Sequence, residues 1–139
     1  MTLELHATPA EVMRAVEALQ GFAQAQGVPE KTIFGLALAL EECGSNVVDH
    51  ALQRDAQQKF QVSIGSSDGS FVIELRDRGP EFDPTSAAER QPEAHDDDLP
   101  GGWGIQLVRR YVDEVRYQRE PGENVLRLTK RLDIPAADK

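Results

Sequence analysis

Two residues whose types and spacing could do chemistry, Glu42 and Asn46, stand four positions apart. Residues at this spacing on a helix lie on one face, so a carboxylate and an amide would point into one site. A carboxylate can accept a proton, and an amide oxygen suits a hard cation such as Mg²⁺. The pair indicates metal-assisted chemistry on a phosphate. A bare Glu41-Glu42 dipeptide is more often a solvated acidic surface, and the pair alone does not decide between the two interpretations.

The helix that must carry this pair is predicted to open at Pro29 and to reach about Leu52. One stripe at i, i+4 spacing passes from apolar to polar residues without changing face. Its members are Phe34, Leu38, Glu42, Asn46 and then Asp49 or His50. We expect the stripe to begin buried, so its polar members need partners. Taken alone, His50 is more typical of a packed or capping histidine than of a ligand.

A carboxylate follows directly on a predicted strand, Ser70 to Arg76, in the pattern Asp77-x-Gly79. A carboxylate at a strand end can accept a hydrogen bond from an exocyclic amine such as that of adenine. Glycine two positions later lets a flat base approach the backbone closely. By itself, Asp-x-Gly is equally typical of a simple turn.

Three glycines, Gly101, Gly102 and Gly104, stand where a short helix from Gly104 to Tyr111 is predicted to begin. Free backbone N–H groups and the dipole at a helix start favour an anion. A flexible lid hinge would have the same composition. Neither a P-loop nor a Rossmann fingerprint is present, because there is no Gly-Lys-Ser/Thr ending and no preceding strand of a βαβ unit.

The remaining pattern predicts alternating strands and helices. Thr8 and Glu11 form a capping box at the start of a first helix that Gly27 would end. Ser67-Asp68-Gly69 is typical of a hairpin turn. Strands are predicted at Leu3 to His6, Phe60 to Ser66, Ser70 to Arg76, Glu114 to Arg119 and Val125 to Leu132. The polar stretch 78–102 is long for a compact domain, which indicates a functional or disordered segment.

Length and composition narrow the function further. A chain of 139 residues has room for one domain with a core. Its net charge of -9 and fifteen scattered basic residues argue against binding nucleic acid. The single cysteine, Cys43, forms no internal disulfide and lacks zinc-site spacing, so we expect a half-buried structural thiol. With no signal-type start and no apolar run near ~20 residues, we expect a cytoplasmic protein without a membrane partner.

The order and spacing of the three motifs carry a family resemblance. The chain resembles the GHKL ATPase superfamily and, within it, the bacterial anti-sigma factor serine/threonine kinases. The matches cover nearly the whole chain: Glu42-x3-Asn46-x3-His50-Ala51 is similar to the N box, Asp77-x-Gly79 with Phe82-Asp83-Pro84 to the first glycine box, Gly101-Gly102-Trp103-Gly104-Ile105 running into Val112-Asp113-Glu114-Val115 to the second, and Gly122 to Lys130 to the final strand.

The resemblance implies a Bergerat-type ATP-binding fold. This fold is an α/β (α+β) two-layer sandwich in which about three helices cover one face of a mixed, mostly antiparallel sheet. Residues 1–134 would form a single histidine-kinase-like ATPase domain, followed by a frayed tail at 135–139. The implied cofactors are ATP and Mg²⁺.

The resemblance also implies a role for each motif. Asn46 would ligate Mg²⁺, Glu42 would accept the proton of an attacking hydroxyl, and Asp77 would hold the adenine amine above Gly79. Residues 85–100 would close over the nucleotide as a lid. The implied nucleotide-binding set is Asn46, Asp49, His50, Asp77, Gly79, Gly101, Gly102, Trp103, Gly104 and Ile105.

Two residues depart from the family pattern. Trp103 stands where the family more often has a smaller aliphatic residue, and Asn124 where related proteins often place a threonine against the phosphates.

The implied function is that of an anti-sigma regulatory factor with ATP-dependent kinase activity. Its substrate would be a serine on an antagonist protein of the STAS type, and a homodimer would sequester a sigma factor. The alternative is a nucleotide-dependent binding module that captures a regulator with little or no turnover. The ATP-binding half of a histidine kinase is disfavoured, because the chain has no helical pair bearing a phospho-accepting histidine.

Overall fold

The computed structural model describes residues 1–85 and 100–132, with the backbone alone at residues 100–103. The strands are β1 (Thr2–His6), β2 (Lys59–Ser67), β3 (Ser70–Asp77), β4 (Glu114–Glu120) and β5 (Glu123–Arg131). The helices are α1 (Pro9–Ala25), α2 (Glu30–Asn46) and α3 (Pro100–Tyr111). The expected lid at 85–100 lies almost wholly outside the described residues, and so does the expected tail.

The strands form one sheet in the order β1-β2-β3-β5-β4, and every described pairing is antiparallel. The predicted hairpin is confirmed, since Asp68 and Gly69 between β2 and β3 have φ angles of 53° and 79°. Because β5 runs antiparallel to β3, the first residues of β5 pair with the last of β3. Asn124 is thereby placed opposite Asp77.

The three helices lie on one face of this sheet. Alternate residues of β3 point towards them and are fully buried, namely Phe71, Ile73 and Leu75. They share one hydrophobic core with residues of α2 such as Leu36 and Leu40. The architecture is the predicted α/β two-layer sandwich, and the described part of the sheet is wholly antiparallel rather than mixed.

Helix α1 begins with a hydrogen bond from the Glu11 backbone N–H to the Thr8 side-chain oxygen at 3.2 Å. The Glu11 carboxylate accepts from the His6 backbone N–H at 3.0 Å rather than from that of Thr8, so the predicted capping box forms in one direction only. The helix ends before Gly27, whose φ angle of 80° is readily adopted by glycine.

Helix α2 changes type at its C-terminal end. Its α-helical part stops at Asn46, and the chain continues as a π-helical turn, Val47–Ala51. The Leu52 N–H donates to the Val47 carbonyl at 2.8 Å, a bond to the fifth residue back. Isolated π turns are frequent at functional sites. The prediction of a helix to about Leu52 is therefore right in extent and wrong in type over its last turn.

The expectation that the i, i+4 stripe begins buried is wrong. Phe34 is 61% exposed and Leu38 is half-buried. The helix instead buries the side that carries Gly35 and Leu36. A Cβ atom on Gly35 would lie 2.5 Å from the ring of Tyr111 in α3, so only glycine permits this close helix packing. The stripe is therefore exposed at its apolar start, Phe34, and buried at Asn46 in its polar part.

Among the described residues, no helix has both the length and the apolar character that crossing a membrane requires.

Candidate active site

The Glu42 carboxylate lies against Gly104, the fifth residue of α3. A Cβ atom on Gly104 would lie 2.6 Å from Glu42 Oε1, so a larger residue would displace that carboxylate. The N-terminal turn of a helix presents free N–H groups and positive potential. The half-buried carboxylate and the helix start therefore face the same space.

The environment of Glu42 adjusts its acidity. Burial raises the pKa of its carboxyl group above the usual value, and the negative charge of neighbouring Glu41 raises it further. A carboxylate whose pKa moves towards neutrality is a better proton acceptor at physiological pH. The solvated interpretation of this acidic pair does not hold for Glu42.

Asn46 lies one helical turn beyond Glu42 and is only 5% exposed. Its side-chain Nδ2 is buried and has no hydrogen-bond partner within the part of the chain that the structure describes. A buried amide left unpaired costs about 1–3 kcal/mol, and such groups in native proteins call for a ligand or another functional explanation. The amide can offer Oδ1 to a cation and Nδ2–H to a phosphate oxygen.

Asn46 fits a magnesium ion better than a cation held entirely by protein. The described residues contain no cluster of three or more His, Cys, Asp or Glu side chains that could hold a metal. Mg²⁺ is typically bound through one or two protein oxygens together with phosphate oxygens and water. A single amide one helical turn from Glu42, whose carboxylate contacts α3, matches that mode of binding.

A small cavity of about 20 Å³ runs from Asn46 to Asp77. Cys43 and Phe82 are part of its wall. Cys43 is fully buried rather than half-buried as predicted, and burial, with a smaller effect from the Glu42 charge, raises the pKa of its thiol to about 12. The thiol is therefore protonated and structural, in agreement with the second half of that prediction.

Asp77 closes β3 and is 4% exposed. Its Oδ1 accepts two hydrogen bonds, from the Gly79 backbone N–H at 2.8 Å and from Asn124 Nδ2 at 2.9 Å. Burial raises the pKa of the carboxyl, while these two donors and the charge of Arg119 act to lower it. No described residue donates to Oδ2, which leaves that oxygen available to a ligand.

Gly79 lies directly beneath this carboxylate. A Cβ atom there would lie 2.5 Å from the carbonyl oxygen of Ala51 in the π-helical turn. Because that contact is to backbone, a larger residue would push the loop away from α2. The glycine therefore keeps the end of β3 and the end of α2 in contact.

Two further predicted site residues, Asp49 and His50, lie in different environments. Asp49 forms a surface ion pair with Arg54 at 2.7 Å. The His50 ring stacks on Phe82 with a centroid distance of 5.3 Å, and its buried Nε2 has no partner among the described residues.

At the start of α3, Gly101, Gly102 and Trp103 belong to its first turn, so this helix begins earlier than predicted. The side chain of Ile105 lies in the hydrophobic core, so that only its backbone could face a nucleotide.

Comparison with known proteins identifies the family of this chain. A family model described as the histidine kinase-like ATPase domain matches residues 5–130. The chain belongs to this family. Serine/threonine-protein kinase BtrW of Bordetella bronchiseptica is 31% identical over 130 residues, which cover 92% of this chain and 91% of BtrW. Serine-protein kinase RsbW of Bacillus licheniformis is 31% identical over 125 residues, covering 86% and 78% of the two chains.

Solved structures share the fold of this histidine kinase-like ATPase domain at lower identity. The SiaB-SiaC complex from Pseudomonas aeruginosa contains a chain with a TM-score of 0.70 and 16% identity, covering 93% of this chain and 88% of that one. The RsbU and RsbW domains of Rv1364c from Mycobacterium tuberculosis match with a TM-score of 0.65 and 21% identity. That match covers 98% of this chain and 34% of the larger one.

The family membership confirms the resemblance that the three motifs predicted. This histidine kinase-like ATPase domain belongs with the serine/threonine kinases of the anti-sigma factor type, which implies that it uses ATP. The roles of individual site residues are proposed from the geometry described above.

Proposed function

We propose that this protein is an ATP-dependent kinase that phosphorylates a serine on an antagonist protein of the STAS type. One observation carries the proposal: the buried, unpaired amide of Asn46 lies one turn from a half-buried Glu42 carboxylate that faces a glycine helix start. A metal ligand, a base and a phosphate-type helix start are the parts that phosphoryl transfer requires.

The nucleotide would lie between the ends of α2, β3 and α3. Asp77 Oδ2 would accept the exocyclic amine of adenine, and Gly79 would leave room for the base. The free backbone N–H groups in the first turn of α3, those of Gly101 and Gly102 among them, would receive phosphate oxygens. Asn46 would hold Mg²⁺ through Oδ1 and donate Nδ2–H to a phosphate.

Mg²⁺ held by Asn46 and the phosphates would neutralise the charge that develops during transfer. Glu42 would accept the proton of the serine hydroxyl as that oxygen attacks the γ-phosphorus, and ADP would leave as its bond to the γ-phosphorus breaks. Its raised pKa and its position in front of the phosphate-binding turn support this role. Burial of Asn46 and Asp77 would keep water away from both ends of the nucleotide.

The remaining partners are proposed on the resemblance alone. The chain would sequester a sigma factor as a homodimer, with nucleotide state coupled to partner choice. Residues 1–134 would act as a single domain in both activities, and the tail at 135–139 would take no part.

The test combines the protein with Mg-ATP labelled at the γ-phosphate and purified STAS-domain proteins from the same organism. We expect label on a serine of one of them, mapped by mass spectrometry, and none when Mg²⁺ is chelated. If ATP is bound and a partner is captured without phosphoprotein, the protein is a nucleotide-dependent binding module instead.

Replacing Asn46 by Ala should abolish stabilisation by Mg-ATP without unfolding the protein. At a hundredfold excess of ligand over Kd, the wild type should gain about 2.7 kcal/mol of stability. In the variant, loss of the unpaired amide, which costs about 1–3 kcal/mol, offsets the small void that the deletion leaves. Thermal unfolding with and without Mg-ATP measures both effects.

Ser45→Ala, one residue away on the same helix, is the matched control and should retain the ligand-dependent shift. A normal Mg-ATP shift in Asn46→Ala would remove Asn46 from the metal site.

The rate of transfer should depend on the pH through Glu42. The base must be ionised, so activity is lost as the pH falls through its pKa, and a raised pKa brings that loss to higher pH. Glu41→Gln removes the neighbouring negative charge that raises this pKa. We therefore expect the acidic limb of the rate profile to move to lower pH in this variant.

Glu30→Gln, at the exposed start of α2, should leave the profile where it is. Identical acidic limbs in the wild type and Glu41→Gln would mean that another group titrates.

A further inference from the structure

Asn124 is one of three buried polar residues in the described chain, together with Asn46 and Asp77. It is the second residue of β5, is 4% exposed and lies opposite Asp77 in the sheet. Related proteins often place a threonine against the phosphates at this position. In this structure Asn124 lies beside Asp77, at the end of the site proposed to hold the base.

Every hydrogen-bonding capacity of the Asn124 side chain is used. Nδ2 donates to Asp77 Oδ1 and to the Pro80 carbonyl, both at 2.9 Å. Oδ1 accepts from the Phe82 backbone N–H at 3.1 Å, from Arg119 Nη1 at 3.1 Å and from the Tyr117 hydroxyl. Acceptors surround the nitrogen and donors surround the oxygen, so the orientation of the amide is fixed by its partners.

The two carboxylate oxygens of Asp77 therefore have different surroundings. Oδ1 is held by Asn124 and Gly79, while Oδ2 receives no bond from a described residue. Arg119 also donates to the Gly79 carbonyl at 2.8 Å, which ties the same loop to β4. The carboxylate can therefore present only one oxygen to a ligand, in one direction.

We infer that Asn124 is a positioning residue that holds Oδ1 of Asp77 and thereby directs Oδ2 at the exocyclic amine of the nucleotide base. The inference rests on the proposed ATP site. Asn124 thereby orients the carboxylate that reads the base, through an amide that donates to Asp77 and accepts from three neighbouring donors.

Asn124→Asp separates this role from simple packing. The two side chains have nearly the same shape, but Asp has no N–H to donate. Beside Asp77 it forms a pair of carboxyls that can share one proton. With the shared proton, the new carboxyl donates to Asp77 Oδ1 much as Asn124 does. Without it, two negative charges repel each other and Oδ1 is released.

The charged or titratable groups around this pair come from several elements. They are Cys43 of α2, Glu81 and Asp83 of the loop after β3, Tyr117 and Arg119 of β4, and Glu123 of β5. Burial keeps the thiol protonated with a pKa of about 12 and raises the pKa of the Tyr117 hydroxyl. The carboxyl pair is therefore the new titrating element that the substitution introduces.

The experiment measures Mg-ATP affinity by calorimetry from pH 6 to 8.5, as the ratio of the variant Kd to the wild-type Kd at each pH. Titration of ATP itself cancels in this ratio. We expect the ratio to rise by roughly tenfold or more towards high pH, the size of one lost bond to a charged group. A ¹³C-carboxyl titration of the ligand-free protein should show a raised pKa for Asp77 in the variant.

Gln118→Asp, on the exposed face of neighbouring β4, adds the same charge and should give a flat ratio. If Asn124→Asp does not fold at high pH, Asn124→Ala replaces it. Ala donates no hydrogen bond to Asp77 Oδ1 and should bind ATP more weakly than wild type at every pH. Wild-type affinity in whichever variant is folded overturns the role of Asn124. A wild-type protein that fails to bind ATP refutes the proposed function instead.

Discussion

Replacing Glu42 by Gln should slow phosphate transfer by roughly 10²–10⁴-fold, the usual contribution of a positioned general base. Gln has nearly the same shape and still fits against Gly104, but its amide accepts no proton from the serine hydroxyl. ATP affinity should stay the same or rise, because a negative charge is removed from the phosphate site. The rate and the affinity therefore change independently.

Single-turnover transfer to the STAS-domain substrate measures the rate, and calorimetry measures ATP binding. Glu30→Gln makes the same chemical change at an exposed position of α2 and should transfer phosphate at the wild-type rate. A Glu42→Gln protein that phosphorylates its substrate normally would show that Glu42 is not the base.

Asp77→Asn should reverse the preference of the site for its base. Gly79 and Asn124 both donate to the oxygen that Asp77 presents to them, so an Asn at this position would turn its oxygen towards them. Its NH₂ group would then face the base. Adenine offers an amine there and guanine a carbonyl, so the exchange removes a bond to ATP and creates one to GTP.

The loss for ATP should be roughly 10- to 150-fold, since a hydrogen bond to a charged group contributes about 1.5–3 kcal/mol. Competition between ATP and GTP in a fluorescent-nucleotide displacement assay gives both affinities. Asp68→Asn, in the hairpin turn at the other end of β3, is the matched control and should bind ATP normally. Unchanged selectivity in Asp77→Asn would mean that another group reads the base.

Local patterns in the sequence predict most of the fold. Alternation of apolar residues marks the strands, Asp68-Gly69 marks the hairpin, and Thr8 with Gly27 brackets α1. These signals depend on neighbours within a few residues, which a single sequence displays directly.

Two features of α2 depend on contacts that the sequence does not display. Periodicity grouped Phe34 with Glu42 on one stripe, but it could not tell which side of an apolar helix the neighbouring elements would cover. The π turn after Asn46 includes a bond from the Leu52 N–H to the Val47 carbonyl, five residues back. A helical pattern of side chains does not specify such a bond.

The candidate site also combines residues that local spacing brings together with residues that only the folded sheet brings together. Glu42 and Asn46 are one helical turn apart, so their proximity could be predicted from spacing. The contact between Asp77 and Asn124 joins residues 47 positions apart through the pairing of β3 with β5. Only the register of the folded sheet shows that these two side chains meet.

The only cysteine of the chain, Cys43, lies fully buried in the cavity wall shared with Asn46 and Asp77. An alkylating reagent can reach its sulfur only when α2 separates locally from its surroundings, and a thiol with a pKa of about 12 reacts slowly until that happens. The rate of native-state labelling is therefore an internal gauge of how often the site opens. The protein carries this reporter without any added probe, and every variant above retains it.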